Sequence, residues 1–191
     1  MRKFFVIIVL LLLFISIATR VFHGDKPTPQ SVFKEQMDVA PMKYYCNSTY
    51  GYNIAYPCFF HKEDVSSTAT DSDSHTRFLF TTNTNIIIET YVMSAPRRST
   101  RACALALADS LGAHPQFPSH KKNKTAAGNS FILSGRVYEN GQPTDGYSHY
   151  TKYIKSGRIL FVYSLIYPED YKPALRRMFR TIDNWTVPGA Y

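Results

Sequence analysis

The residue types best suited to binding a metal ion stand in the stretch TDSDSHT, where Asp71, Asp73 and His75 occupy alternate positions. Oxygen and nitrogen ligands of this kind would suit calcium or zinc. A calcium loop that starts at Asp71 would need glycine in place of Thr76 and glutamate in place of Thr82, and the sequence has neither. The six histidines of the chain also lack the spacing of a zinc motif. The stretch is therefore predicted to be a solvated loop, and no metal site or cofactor is expected.

Nucleophilic catalysis has no local signature in the chain. There is no G-x-S-x-G sequence, and the nine glycines stand singly, so neither a nucleophile elbow nor a phosphate-binding loop is indicated. Cys103 lies in RACALALADSL, whose Ala and Leu spacing predicts a helix packed on a sheet, and no histidine lies one turn away to activate the thiol. The sequence therefore predicts a protein that is not an enzyme, with no catalytic residues.

Three cysteines follow the first 18 residues, and they bear on the compartment of the protein. An oxidising environment would allow one disulfide and leave one thiol over. Cys46 and Cys58 lie on either side of the aromatic stretch YGYNIAYP and are both flanked by aromatic residues, which makes them the predicted pair. The alternative is that all three cysteines are buried thiols, with Cys103 serving as a small apolar residue.

Residues 1–18 have the pattern of an export signal or membrane anchor. A charged start, Met1-Arg2-Lys3, precedes the apolar run 4–18, and small residues allow cleavage before Thr19. No cysteine follows the run, which disfavours a lipid anchor. A retained anchor is the alternative to cleavage, because tilt and bilayer thinning can accommodate about 15 apolar residues. The protein is expected to be exported from a bacterial cytoplasm, either periplasmic or membrane-anchored and facing the periplasm.

The rest of the chain divides into a tether and one domain. Residues 19–42 contain three prolines among mixed polar residues, a composition that predicts a tether with little order before Lys43. Residues 43–191 have the length and apolar content of one globular domain. The formal net charge of the whole chain is +8, so a basic domain is expected.

Hydrophobic periodicity predicts an ordered series of elements from Tyr50 onward. The predicted strands cover 50–56, 77–82, 85–93, 130–139, 147–155 and 158–167, and the predicted helices cover 97–111 and 168–184. Pro96 and Gly112 mark the start and end of the first helix, and a turn at Ser156-Gly157 joins the last two strands as an antiparallel hairpin. This order predicts an α+β fold, in which an antiparallel sheet of about six strands has helices packed on it as an α/β/α sandwich.

Two stretches resemble a known superfamily. YGYNIAYP is similar to the opening strand Y-G-F-x-I-x-Y-P of bacterial proteins with the PsbP-like fold, and LFVYSLIYPEDYKPALRRMFRTI resembles their closing strand and helix. The resemblance covers roughly residues 43–185 and includes exported bacterial members such as the DcrB-like envelope proteins. It implies an architecture and a structural role for the opening strand, and it transfers no site residue.

The most unusual surface that the sequence predicts is basic. Between residues 97 and 124, six basic residues stand against one acid, Asp109, which gives a local net charge of +5. The six are Arg97, Arg98, Arg101, Lys121, Lys122 and Lys124. Such a patch would attract anionic lipid headgroups, acidic polysaccharide or an acidic protein, whereas nucleic acid is not expected as a partner of an exported protein. An ordinary solvated face is the alternative.

These observations favour a non-enzymatic exported module of the cell envelope. It would bind a protein or another envelope component, in an accessory, chaperone-like or inhibitory role. The motivation is a complete small fold without a catalytic set of residues. The alternative is a carrier that holds a small apolar or amphipathic ligand between the sheet and a helix, for which the aromatic-rich strands are the motivation.

Overall fold

The computed structural model describes residues 28–63, 75–82, 85–117, 129–139 and 142–188. The strands are β1 (Met42–Asn47), β2 (Tyr52–Pro57), β3 (His61–Lys62), β4 (Thr76–Thr81), β5 (Asn85–Ser94), β6 (His114–Gln116), β7 (Ser130–Glu139), β8 (Gln142–Ser156) and β9 (Ile159–Pro168). The helices are α1 (Pro29–Val39), α2 (Thr100–Leu111) and α3 (Arg176–Asn184), and a 3₁₀ helix at Glu169–Leu175 leads directly into α3.

Within the described residues, seven strands form one antiparallel sheet in the order β3-β4-β5-β9-β8-β7-β6, and β1 and β2 form a separate antiparallel hairpin. The predicted α+β class and antiparallel sheet are confirmed. The main sheet has seven strands rather than about six, because the predicted strand 50–56 lies in the separate hairpin and the short edge strands β3 and β6 join the other five predicted strands. The turn between β8 and β9 consists of Gly157 and Arg158, one residue later than predicted. Gly157 has a φ of 59°, a left-handed conformation that glycine adopts without strain.

The β1–β2 hairpin packs against one face of the sheet, together with α1 and α3. Tyr52 on β2 is fully buried, and its hydroxyl lies 3.0 Å from the hydroxyl of Thr90 on β5. Trp185, directly after α3, donates from its indole Nε1 to the Asn53 carbonyl at 2.7 Å. The stretch YNIAYP is therefore a core strand of the docked hairpin, outside the main sheet.

Helix α1 occupies part of the segment in which the sequence predicts little order before Lys43, and that prediction is wrong for these residues. Phe33 and Met37 lie one helical turn apart, and both are buried in the core on this face of the sheet, with exposures of 2% and 0%. Arg177 of α3 donates from Nη1 to the carbonyl oxygens of Met37 at 2.9 Å and Ala40 at 2.7 Å. Two buried side chains, and a C-terminal turn whose carbonyl oxygens accept hydrogen bonds from Arg177, thus hold a short helix against the domain.

Helix α2 covers the opposite face of the sheet. Its small buried residues Cys103, Ala104 and Ala108 pack with residues of β7, β8 and β9, among which the rings of Phe131 and Tyr153 stack with centroids 4.8 Å apart. Cys103 is a free, buried thiol, in agreement with its interpretation as a small apolar residue. Because elements pack on both faces, the sheet forms the middle layer of a three-layer sandwich.

The predicted disulfide between Cys46 and Cys58 is wrong, since both residues are free thiols. In the hairpin register Cys46 pairs with Asn53, whereas Cys58 follows Pro57, which pairs with Met42 at the other end. At about 3.3 Å per residue, the stretch from Asn53 to Cys58 separates the two cysteines by roughly 15 Å along the hairpin, far beyond disulfide reach.

Some predicted features lie outside the described residues. These are the segment 1–18, residues 19–27 of the tether, Asp71 and Asp73 of the rejected calcium motif, and the patch lysines Lys121, Lys122 and Lys124. Among the helices that the structure describes, none combines the length and the apolar character needed to span a membrane.

Candidate functional site

An open groove lies on the α2 side of the sheet, beyond the end of that helix. The helix ends at Gly112, whose φ of 58° is left-handed, and Ala113 closes the end by donating its N–H to the Ala108 carbonyl at 2.9 Å. The sheet continues past this point, so β5, β9, β8 and β7 form an uncovered floor. We call this cavity of about 590 Å³ the α2-side groove, and its volume is within the range of small-molecule sites. Its lining includes Glu89, Tyr91, Arg136, Tyr138, His149, Thr151, Tyr153, Ser164 and Ile166.

Close contacts between the end of α2 and β7 form one wall of the groove. A Cβ atom at Gly112 would lie 3.4 Å from the Tyr138 ring, and a Cβ atom at Gly135 would lie 3.1 Å from the Ala113 Cα. Glycine at both positions therefore lets the helix end approach the strand closely.

The ladder between β7 and β8 is irregular beside this wall. Arg136 pairs with Ser148, but Tyr138 pairs with Pro143, so β8 carries extra residues between these two pairs. Gly146 lies in this bulge with a left-handed φ of 74°. Bulges often lie next to binding sites because they redirect the flanking side chains. Here the flanking residues Arg136 and Tyr138 line the groove.

A row of polar side chains crosses the floor of the groove from strand to strand. The ladders pair Arg77 with Glu89, Glu89 with Ser164, and Ser164 with Thr151. The Arg77 Nε lies 2.9 Å from the Glu89 Oε1, and its Nη1 lies 3.0 Å from the Glu63 Oε2. The single positive charge of Arg77 is therefore shared between the carboxylates of Glu89 and Glu63.

The hydroxyl groups of Thr151 and Ser164 lie 2.7 Å apart in the buried part of the row. The His149 Nδ1 lies 3.3 Å from the Thr151 Oγ1, so Thr151 stands between the imidazole and the serine. A nucleophilic serine needs direct contact with its general base, which this arrangement does not provide. The described part of the chain also contains no group of three or more His, Cys, Asp or Glu side chains able to hold a metal ion. The row is suited to forming hydrogen bonds with a bound molecule.

Burial sets the protonation of the titratable groups on the groove floor. It lowers the pKa of His149 below its usual value, so the imidazole is neutral at neutral pH. Burial, together with the charge of Glu89, raises the pKa of Tyr91, and burial together with Tyr91 raises the pKa of Tyr153. Both phenols are therefore protonated at neutral pH. The floor offers neutral donors and acceptors beside apolar ring surfaces.

A second cavity of about 440 Å³ adjoins the groove at β7. The two cavities share four lining residues, of which Arg136 and His149 are two. Lys172 of the 3₁₀ helix also lines the second cavity. Glu169 in the same lining accepts a hydrogen bond at 3.0 Å from the Ser148 hydroxyl. The junction of the two cavities therefore lies beside basic side chains.

The three arginines of the predicted patch lie together at the start of α2. Arg97 and Arg98 precede the N-cap residue Ser99, Arg101 lies in the first turn, and all three arginines are exposed. The ion pairs among the described residues are those of Arg77, so none of the three arginines is paired with a described acid. The arginine half of the patch is thus brought together, while its lysine half lies outside the described residues.

Two exposed apolar side chains adjoin these arginines. Leu105 lies one helical turn after Arg101 and is 52% exposed, and Phe117 is 40% exposed. The guanidinium carbon of Arg101 lies 5.2 Å from the centroid of the Phe117 ring, within cation–π distance. Phe117 directly follows β6. The segment that leaves the C-terminal end of α2 therefore runs back beside the helix and reaches its first turn. We call Arg97, Arg98, Arg101, Leu105 and Phe117 the α2 outer surface.

Sequence reasoning misses the groove, although two of its polar residues carry a signal. Glu89 interrupts the apolar strand IIIETYV, and Ser164 interrupts LFVYSLIYP. A polar residue within an apolar strand is either paired across the sheet or part of a site, because a buried polar group needs a partner. The contribution of His149 and Thr151 depends on the register of β8 against β9, and the predicted turn at Ser156-Gly157 gives a register two positions off, because the turn lies one residue later.

The architecture and the groove define the chain as an α+β sandwich domain with one incompletely covered sheet face. No family model and no curated protein sequence matches the chain. Among solved structures, cyanobacterial PsbP (CyanoP) from Synechocystis sp. PCC 6803 is similar, with a TM-score of 0.53 and 14% identity over 78% of this chain and 94% of that one. The Ran-binding protein Mog1p of Saccharomyces cerevisiae has a TM-score of 0.54 and 11% identity over 76% of this chain and 94% of its own.

These likenesses show that the chain has the PsbP-like fold, which is the architecture that its opening and closing stretches imply. At identities of 14% and 11% they establish the architecture, and the function must be inferred from the surface residues. Membership of the DcrB-like group stays a prediction.

Proposed function

We propose that this chain is a non-enzymatic exported module of the cell envelope that binds an acidic protein or another anionic envelope component through the α2 outer surface. The observation that carries the proposal is the cluster of three exposed arginines beside two exposed apolar side chains. Export is inferred from the charged start and apolar run of residues 1–18.

The position of the arginines supports an external anionic partner. A helix N-terminus carries partial positive charge, and α2 has no acidic residue in its first turn to balance it. Each cation near this end is unfavourable by about 0.3–1 kcal/mol at low salt. A bound anion would reverse the sign of this interaction, so the arrangement favours binding over stability of the free domain.

The apolar members of the surface support a protein as the partner. Arginine and aromatic residues are enriched at protein interfaces, whereas lysine and acidic residues are depleted. Because Arg101 is stacked on Phe117, its guanidinium is already oriented and loses little freedom on binding. Mog1p, which shares the fold, is a Ran-binding protein, so a protein partner is compatible with this architecture.

Charge reversal tests the proposal. The test variant carries Arg97→Glu, Arg98→Glu and Arg101→Glu. The matched control carries Lys34→Glu, Arg176→Glu and Arg180→Glu, three exposed cations of α1 and α3. Because the two variants have the same net charge, only a site-specific contact distinguishes them.

The readout is retention of each purified variant on envelope extract from the source organism and on vesicles with and without phosphatidylglycerol. We expect the test variant to lose retention and the control to keep it. Added salt should weaken the retention of the wild type. Retention on extract alone identifies a protein or polysaccharide partner, and retention on anionic vesicles identifies lipid. Equal retention of wild type, test variant and control on every surface would contradict the proposal.

A second candidate function is that of a carrier for a small apolar or amphipathic ligand, and the α2-side groove favours it. The groove of about 590 Å³ places the rings of Tyr91 and Tyr153 beside the hydrogen-bonding row. Native mass spectrometry of protein purified from its source should then show a bound small molecule. A spectrum of ligand-free protein only, from preparations that never met detergent, would count against a carrier.

A further inference from the structure

The α2-side groove and the adjoining cavity differ in character on the two sides of Arg136, which lines both. On the groove side the walls include the rings of Tyr91 and Tyr153 and the side chain of Ile166. On the other side the walls include the cationic Lys172. A molecule that reaches from one cavity to the other would therefore meet an apolar surface first and a basic one at its end.

The groove floor is unsuited to a charged group. Apart from Arg136, Glu89 is the one charged residue in the described lining, and Arg77, which also pairs with Glu63, lies 2.9 Å from it. The hydroxyl groups of Thr151 and Ser164 already bond to each other at 2.7 Å. An anion on this floor would lose hydration and meet the like charge of Glu89, and a cation would lose hydration and compete with Arg77 for that carboxylate, so both are unfavourable. The body of a ligand there must be uncharged.

The junction of the two cavities is suited to an anion. Arg136 is exposed, and no ion pair of Arg136 occurs among the described residues. The adjoining cavity has the acid Glu169 against the two cations Arg136 and Lys172, so its described lining carries a net positive charge. A guanidinium binds a carboxylate through two parallel N–H···O bonds, a geometry that lysine does not offer. Arg136 is therefore the residue that would recognise a carboxylate.

We propose that the α2-side groove binds a small amphipathic carboxylate, with its apolar body along Tyr91 and Tyr153 and its carboxylate at Arg136. This inference deepens the second candidate function, the carrier, and rests on it. It does not depend on the α2 outer surface.

The test is an NMR titration of the full domain with octanoate, octanol and octyltrimethylammonium, each below its micelle concentration. These probes share one apolar body and differ in the charge of the head. We expect amide shifts centred on His149 and Ser164, with octanoate binding most tightly and the cation most weakly. Arg136→Gln should weaken the binding of octanoate about tenfold and leave the affinity for octanol within about twofold of wild type, because only the charged head loses its partner.

Two further variants locate the ligand. Arg158→Gln removes an exposed arginine of the β8–β9 turn, nine positions after His149 in the chain, and should leave all three affinities unchanged. Ile166→Trp narrows the groove and should abolish binding of both octanoate and octanol, with thermal melting used to verify that the variant is folded. Binding of both probes to folded Ile166→Trp would overturn the assignment of the groove.

The outcomes separate the ligand class from the carrier function. If wild type binds octanol as tightly as octanoate in the groove, and Arg136→Gln changes neither, the carboxylate assignment fails while the carrier function stands. If no probe shifts any groove amide, both fail.

Discussion

The guanidinium of Arg101 lies over the ring of Phe117, 5.2 Å from its centroid, although 16 positions separate the two residues in the chain. The contact fixes the end of the β6 segment beside the first turn of α2. It also leaves the arginine charge in solvent while restricting its side chain. Together with exposed Leu105, this pair makes the outer side of α2 a surface that is both basic and apolar.

Helix α1 should contribute strongly to stability. Met37 is fully buried in the core between α1 and the sheet, so Met37→Ala should lower the free energy of unfolding by about 2–5 kcal/mol. Val39→Ala on the same helix is the control, because Val39 is 78% exposed and its truncation should change stability by less than about 0.5 kcal/mol. Urea denaturation measures both. Equal effects of the two substitutions would show that α1 is not docked in solution.

The contrast between α1 and α2 shows what the sequence reveals of the fold. Helix α2 has a long Ala and Leu pattern between Pro96 and Gly112, which gives its existence and its end at Leu111, although it begins at Thr100 and not at residue 97 as predicted. Helix α1 has only two buried residues, Phe33 and Met37, and lies among prolines that suggest a tether. Its stability comes from tertiary contacts, including those with Arg177, which no local pattern carries.

Register explains the two other features that local patterns do not give. The hairpin register sets Cys46 opposite Asn53 and so removes the predicted disulfide. The pairing of Ser164 with Thr151 creates the polar row of the groove floor. In each case residue types are visible in the sequence, whereas the partner across the ladder is fixed only when the strands assemble.

Lys152 should be important for the docking of the C-terminal segment. Its Nζ donates to the carbonyl oxygens of Asp183 at 2.5 Å and Trp185 at 2.7 Å, at the end of α3. Lys152→Met would leave these carbonyls without a donor and should destabilise the domain by about 1–3 kcal/mol. Lys155→Met is the control on the same strand, because its Nζ donates to Gly157 in an exposed position. A loss no larger than that of the control would contradict this role.

The same lysine should make stability depend on pH in the alkaline range. Burial, opposed in part by Asp183, lowers the pKa of Lys152 from 10.5 to about 8. Above pH 8 the folded state has released a proton from Lys152 that the unfolded state still holds, so this lysine makes stability rise with pH. The rise continues until tyrosines begin to ionise near pH 10. The rise should be at most about 1.4 kcal/mol per pH unit. Urea titrations of wild type and Lys152→Met across this range test it, and identical slopes would contradict it.

His149 should make stability depend on pH in the acidic range. Burial lowers its pKa below 6.5, so as the pH falls past 6.5 the unfolded state takes up a proton before the folded state does. Stability is therefore lost as the pH falls through this window, and the loss ends below the folded-state pKa. His149→Gln should reduce the pH dependence of the melting temperature between neutral pH and pH 5, whereas an unchanged dependence would assign it to other groups.

The hydroxyl pair of Thr151 and Ser164 should show energetic coupling. Each is buried and each is the other's partner at 2.7 Å. Thr151→Val and Ser164→Ala should each cost about 1 kcal/mol, and the double variant should cost less than their sum by about 0.5–1.5 kcal/mol, because no hydroxyl is then left unpaired. Additive losses within about 0.3 kcal/mol would mean that the pair does not act as a unit.

Photo-crosslinking from Leu105 tests the central proposal most directly. A benzoylphenylalanine at this position lies within the α2 outer surface, and the same residue at position 39, on α1 across the sheet, is the control for an exposed site elsewhere. In the envelope of the source organism we expect one discrete adduct from position 105, lost when Arg97, Arg98 and Arg101 are all changed to Glu, and no such adduct from position 39. No adduct from position 105, or the same adducts from both positions, would contradict a partner at this surface.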